Sequence, residues 1–153
     1  MEINSCPAIN EIRKRLAVFP ELPIIQKENS LFIEPKDLRG FKVIIDDNRT
    51  NFTLLCDGWS YDQFTNYEIA ARAFILGLSA AARLLVREKN QQRYWWLLET
   101  CLNNEWGGIE VTFRPGKYSL FQKKKIYYLQ NDWINIERLK PWIGEELTAE
   151  RIM

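Results

Sequence analysis

Residues 83–113 read RLLVREKNQQRYWWLLETCLNNEWGGIEVTF, and the fold turns on whether they are helix or strand. The leucines, and the Ala80-Ala81-Ala82 run just before, favour a helix to Lys89 and a second over 93–101. Tyr94-Trp95-Trp96 favours a strand, because flat and branched side chains suit a pleated surface. Arg83 to Glu88 would be its partner, turned at Lys89-Asn90-Gln91-Gln92. After Asn103-Asn104, the residues Ile109, Val111 and Phe113 alternate with Glu110 and Thr112, the period of a half-buried strand. The balance predicts a three-stranded antiparallel meander with turns near Asn90 and Asn103.

Upstream stands a helix start. Thr65 followed by Glu68 has the spacing of a capping box, with Phe64 and Ile69 placed as its hydrophobic staple. Ile69, Ala70, Ala73, Phe74 and Leu76 form the apolar side, and Gly77 is a stop signal. Further upstream, Phe41 to Ile45 and Asn51 to Cys56 predict a hairpin joined by Asp47-Asn48-Arg49-Thr50. Leu31-Phe32-Ile33 is a short strand. Ile9, Ile12 and Leu16 lie on one face of a helix over 7–18, with Ser5 as cap and Pro7 in its first turn.

Downstream, Arg114-Pro115-Gly116-Lys117 suits a type II turn, across which Tyr118 to Phe121 would pair back. Ile126 to Leu129 is a strand, and Asp132 would cap a short helix from Trp133 to Leu139. With no repeat and no linker, the expectation is a single α+β domain over 1–153. It has an N-terminal helix, antiparallel strands before and after one well-capped central helix, and a short C-terminal helix.

Composition bounds the chemistry. The 153 residues are 46% hydrophobic with a net charge of +1, too apolar and too balanced for a disordered chain. There is no histidine, which removes Ser-His-Asp and Cys-His catalysis, histidine-bearing zinc sites and the commonest base near neutral pH. Cys6, Cys56 and Cys101 form no CxxC pair and read as reduced thiols of a cytoplasmic protein, the latter two buried. Gly107-Gly108 is the lone glycine pair and belongs to no phosphate loop. The opening MEINSC lacks the pattern of a signal peptide. The longest uncharged apolar run, Ala73 to Ala82, is about half the roughly 20 residues that span a bilayer. No cofactor, metal or membrane is expected.

Three features bear on function. Residues 83–125 carry 9 Lys and Arg against 4 Asp and Glu, interleaved with aromatics as single-stranded nucleic acid requires. The plainer reading makes alternate aromatics core and the cations a solvated face. Asp57 to Asp62 reads as a polar, aromatic loop. With Asp46 and Asp47 it suggests a carboxylate site, but the spacing is that of strand ends and turns, not of an EF-hand. Trp95 and Trp96 are adjacent, so on a strand they face opposite ways. One is core; the other needs a covering helix, tail or partner, unless the sheet is covered on both faces. The expected site is therefore an aromatic sheet face of Tyr94, Trp95, Trp96 and Trp106 with Arg87 and Arg93. One tryptophan is expected to be substantially exposed there. This predicts a non-enzymatic binding protein acting through a protein partner or a second copy, of the inhibitor, immunity or accessory-subunit type found among small bacterial proteins. The alternative is a single-stranded nucleic-acid-binding module using 83–125.

Overall fold

The computed structural model describes residues 7–102, 104–114, 123–135 and 137–139. The fold is α+β, built on two antiparallel sheets. Helix α1 (Pro7–Leu16) is followed by β1 (Ile25–Lys27), β2 (Ser30–Ile33), β3 (Val43–Asp47), β4 (Phe52–Cys56) and β5 (Trp59–Phe64), which form the first sheet in sequential order. Helix α2 (Tyr67–Leu78) leads to β6 (Ala82–Lys89), β7 (Gln92–Leu102), β8 (Glu105–Phe113) and β9 (Lys124–Leu129). These make the second sheet in the order β8-β7-β6-β9. Residues 137–139 form a short C-terminal helical turn.

The meander over 83–113 forms as expected, and its turns show why strands win over helix. Asn90 and Gln91 both have positive φ (50° and 66°), the geometry of a type I′ hairpin whose twist matches that of the strands. Asn104 is also left-handed, at φ 63°. The neighbouring Asn103, the 115–117 part of the expected type II turn, and the 118–121 pairing lie outside the described residues.

Helix α1 buries Ile9, Ile12 and Leu16, the face read from their spacing. Helix α2 is buried along most of its length, from Ala70 to Leu78 except for Arg72, because it is wedged against α1, β3, β4 and β6. Its small residues permit this. A Cβ on Gly77 would stand 3.3 Å from Val43 Cγ1, so glycine serves close approach to β3 and does not stop the helix. The helix runs one residue further and ends at Ser79, whose backbone N–H reaches the Leu76 carbonyl.

The cap also differs from expectation. Asn66, not Thr65, caps α2: its side-chain oxygen accepts from the Glu68 N–H at 2.7 Å. Glu68 pairs instead with Arg15 of α1 at 2.8 Å. At the other end of the chain, Asn135 accepts from the Arg138 N–H at 3.0 Å, so Asp132 is not the cap; Asp132 accepts from Lys36 Nζ.

The expected loop at Asp57 to Asp62 is a tight hairpin turn, Asp57-Gly58, followed by β5. Asp57 takes the left-handed conformation at φ 54° that Asp tolerates better than most residues. Trp59 and Tyr61 face the core while Ser60 and Asp62 do not, the period-two pattern of a half-buried strand. One cluster of buried side chains runs through both helices and the inner faces of both sheets.

Candidate functional site

In the second sheet, alternation sends Ala82, Leu84 and Val86 of β6 inward, with Trp96, Leu98 and Thr100 of β7 beside them. The opposite phase builds the outer face in cross-strand rows. Ile126, Arg87, Trp95 and Phe113 form one row across β9, β6, β7 and β8. Tyr128, Leu85, Leu97 and Val111 form the next. Arg83 and Glu99 lie beyond them, and then Cys101 opposite Trp106.

Five of the eight exposed large apolar side chains among the described residues sit on this face: Trp106, Val111, Phe113, Ile126 and Tyr128. Phe113 is 66% and Ile126 65% exposed. No described element covers them. Aliphatic side chains hold the middle of the face, and guanidiniums hold the aromatic rings. Arg83 lies 4.0 Å from the Trp106 ring centre and 4.1 Å from that of Tyr128, with its Nε donating to Glu99 at 2.9 Å. Arg87 lies 4.1 Å over Trp95.

A bulge in β8 makes the face. Leu98 pairs with Ile109 and Leu97 with Val111, so Glu110 is the extra residue, at φ 43°. Simple alternation puts Ile109, Val111 and Phe113 on one side. With the bulge, Ile109 faces the core, and Val111 and Phe113 face outward. The Glu110 carbonyl thereby accepts from Trp59 Nε1 of the first sheet at 2.9 Å.

Of the expected site residues, Arg87, Trp95 and Trp106 come together on this outer face. Trp95 is half-buried beneath Arg87, so the exposed surface is carried by its neighbours and not by a bare indole. Trp96 and Arg93 belong to the inner side. Trp96 is 3% exposed and donates from Nε1 to Asp57 at 2.7 Å. Arg93 bonds the other Asp57 oxygen at 2.9 Å and donates to the Tyr127 hydroxyl at 2.8 Å, which in turn donates to Glu88 at 2.6 Å. Burial works against the Arg93 charge, but Asp57 and Tyr127 outweigh it and hold its pKa above the ordinary value. Tyr94 stands at the β6–β7 irregularity, with Lys89 Nζ 5.2 Å over its ring. Cys101 lies half-buried on the outer face, not in the core.

Sequence reasoning missed Arg83, Leu85, Leu97, Ile126 and Tyr128, whose alternation in β6, β7 and β9 was a usable signal. It also missed the outward turn of Val111 and Phe113, for which the Gly107-Gly108 pair inside the strand was the sole hint. The carboxylates weighed as a site are occupied structurally. Ser30 bonds Asp46, the Arg49 N–H bonds Asp47, and Asp57 serves Trp96 and Arg93. Beside α1 lies an open groove of about 550 Å³, lined by Arg13, Leu16, Phe19 and Leu22. Its polar side chains already have partners: Gln26 bridges Arg13 and Asn10, and Lys14 pairs with Glu11. Among the described residues no helix is long and apolar enough to cross a membrane.

Comparison with protein-family models, with curated proteins and with solved structures returns no match for this chain.

Proposed function

We propose that this protein is a non-enzymatic binding module of the inhibitor, immunity or accessory-subunit type, working in the cytoplasm. It holds a protein partner on the outer face of its second sheet. The observation that carries this reading is the concentration of exposed Trp106, Val111, Phe113, Ile126 and Tyr128 on one continuous face. Apolar surface left in water is unfavourable by roughly 25 cal/mol per Å², and contiguous patches of this kind mark interaction sites. Aromatic rings and arginines are also the residues that anchor protein interfaces.

Single-stranded nucleic acid is the second reading, favoured by the arginines and rings on one sheet. The geometry supports it less. Trp95, Trp106 and Tyr128 already have guanidiniums of this chain against them, and the rest of the Tyr128 row, Leu85, Leu97 and Val111, is aliphatic. Bases require free ring faces.

The test is photo-crosslinking in cells with a benzophenone amino acid at position 113, 126 or 38. Leu38 is fully exposed and lies off the face. Protein adducts at 113 and 126 but not at 38 are expected. Equal labelling at all three, or an adduct that nuclease removes, defeats the reading.

A further inference from the structure

We infer that the partner segment seated on this face is apolar and carries a carboxylate that pairs with Arg87, an inference that rests on the protein-binding reading above. The argument is one of charge on a surface about to be dried. The outward positions of β6 and β7 hold Arg83, Arg87 and Glu99, and Lys124 shares the outward phase of Ile126 and Tyr128 on β9. The single carboxylate of this set, Glu99, is already committed to Arg83 at 2.9 Å. Arg87 has the Trp95 ring beneath it at 4.1 Å and no carboxylate among the described residues.

This contact holds the guanidinium against the ring. The guanidinium N–H donors lie in its plane and remain available in the fork that a carboxylate matches. In its row Arg87 lies between Ile126 and Trp95, with Phe113 on the far side of Trp95, and Ile126 and Phe113 are the two most exposed apolar side chains of the face. An apolar partner that covers them covers Arg87 as well, and a buried, unpaired cation is heavily penalised. A carboxylate on the partner removes that penalty. On β6, β7 and β9 of a second copy the one outward carboxylate, Glu99, is likewise taken by Arg83.

The probe is a phage-displayed random dodecapeptide library selected on the immobilised protein. Selected peptides are then measured by fluorescence polarisation, each beside a counterpart with its acid changed to the amide. Enriched peptides are expected to combine Leu, Ile, Phe or Trp with Asp or Glu. The amide change is expected to weaken binding about tenfold to the wild type, and much less to Arg87→Gln. Phe113→Ser is expected to weaken all of them. Peptides that lose affinity on Phe113→Ser but are indifferent to the amide change, or to Arg87→Gln, overturn the carboxylate and leave the face. Selection of no peptide sensitive to Phe113→Ser overturns both. A chain that sediments as a dimer closed by this face, or an oligothymidylate that displaces the peptides with steep salt dependence, also overturns the inference.

Discussion

Trp96 Nε1 donates to Asp57 Oδ2 at 2.7 Å and so ties the long central strand of the second sheet to the β4–β5 turn of the first. A buried indole N–H needs such an acceptor, and Asp57 reaches it from a left-handed turn position. Its other oxygen continues the chain of bonds through Arg93 and Tyr127 to Glu88. Asp57→Asn keeps an acceptor and tolerates the backbone, so it should cost about 1 kcal/mol. Asp57→Ala strands the indole N–H and strains the turn, and should cost about 2–4 kcal/mol. Urea unfolding followed by fluorescence measures both. An Asp57→Ala variant within about 0.5 kcal/mol of wild type would show the bond to be idle.

Gly58 lies under the same indole. A Cβ there would stand 2.1 Å from Trp96 Cζ2, inside the ring's own volume. Gly58→Ala must therefore push Trp96 off Asp57. A loss of about 2–4 kcal/mol is expected, at or above the upper end of ordinary overpacking. Near-UV circular dichroism should show the tryptophan signal change. An unchanged spectrum with unchanged stability would contradict the packing.

The α2 cap separates two neighbouring residues. Asn66→Ala should cost about 1 kcal/mol, the usual worth of an N-cap, because the Glu68 N–H loses its acceptor. Thr65→Ala should cost well under half of that. Equal costs, or the reverse order, would restore Thr65 as the cap.

Tyr127 gives stability a dependence on alkaline pH. Burial raises its hydroxyl pKa above the ordinary range, donation to Glu88 adds to this, and Arg93 opposes it. The fold thus favours the protonated phenol more than the unfolded chain does. The contribution is fully present below the ordinary tyrosine pKa of about 10 and is lost as pH rises through the higher folded value. The gap in urea midpoint between wild type and Tyr127→Phe should be constant up to about pH 10 and narrow above it. A gap that widens with pH refutes the sign.

Cys56 is fully buried between Leu55 and the Asp57 turn, and burial pushes its thiol pKa up, with the Asp57 charge adding to it. A disulfide-exchange reagent should therefore modify Cys56 only as fast as the protein opens. Denatured without reductant, the chain should titrate three thiols. Rapid native labelling of Cys56, traced by peptide mapping, would overturn its placement.

The sequence by itself determined what depends on near neighbours. Ile9, Ile12 and Leu16 fall on one helical face whatever surrounds them, and so α1 was legible. The strand preference of Tyr94-Trp95-Trp96 between two asparagine-rich turns carried the meander. The rule that adjacent strand residues face opposite ways carried the parting of Trp95 from Trp96. Tertiary structure decided which of the two is core. That depends on the Gly58 backbone and Asp57, some 39 residues away, offering the indole a flat bed and an acceptor. It also decided the bulge at Glu110. One extra residue there trades a regular ladder for the Trp59 bond to its carbonyl and turns Val111 and Phe113 from expected core into surface. Periodicity reads a side chain's phase relative to its neighbours. The face that each phase meets is set by what packs across from it, and that belongs to distant parts of the chain.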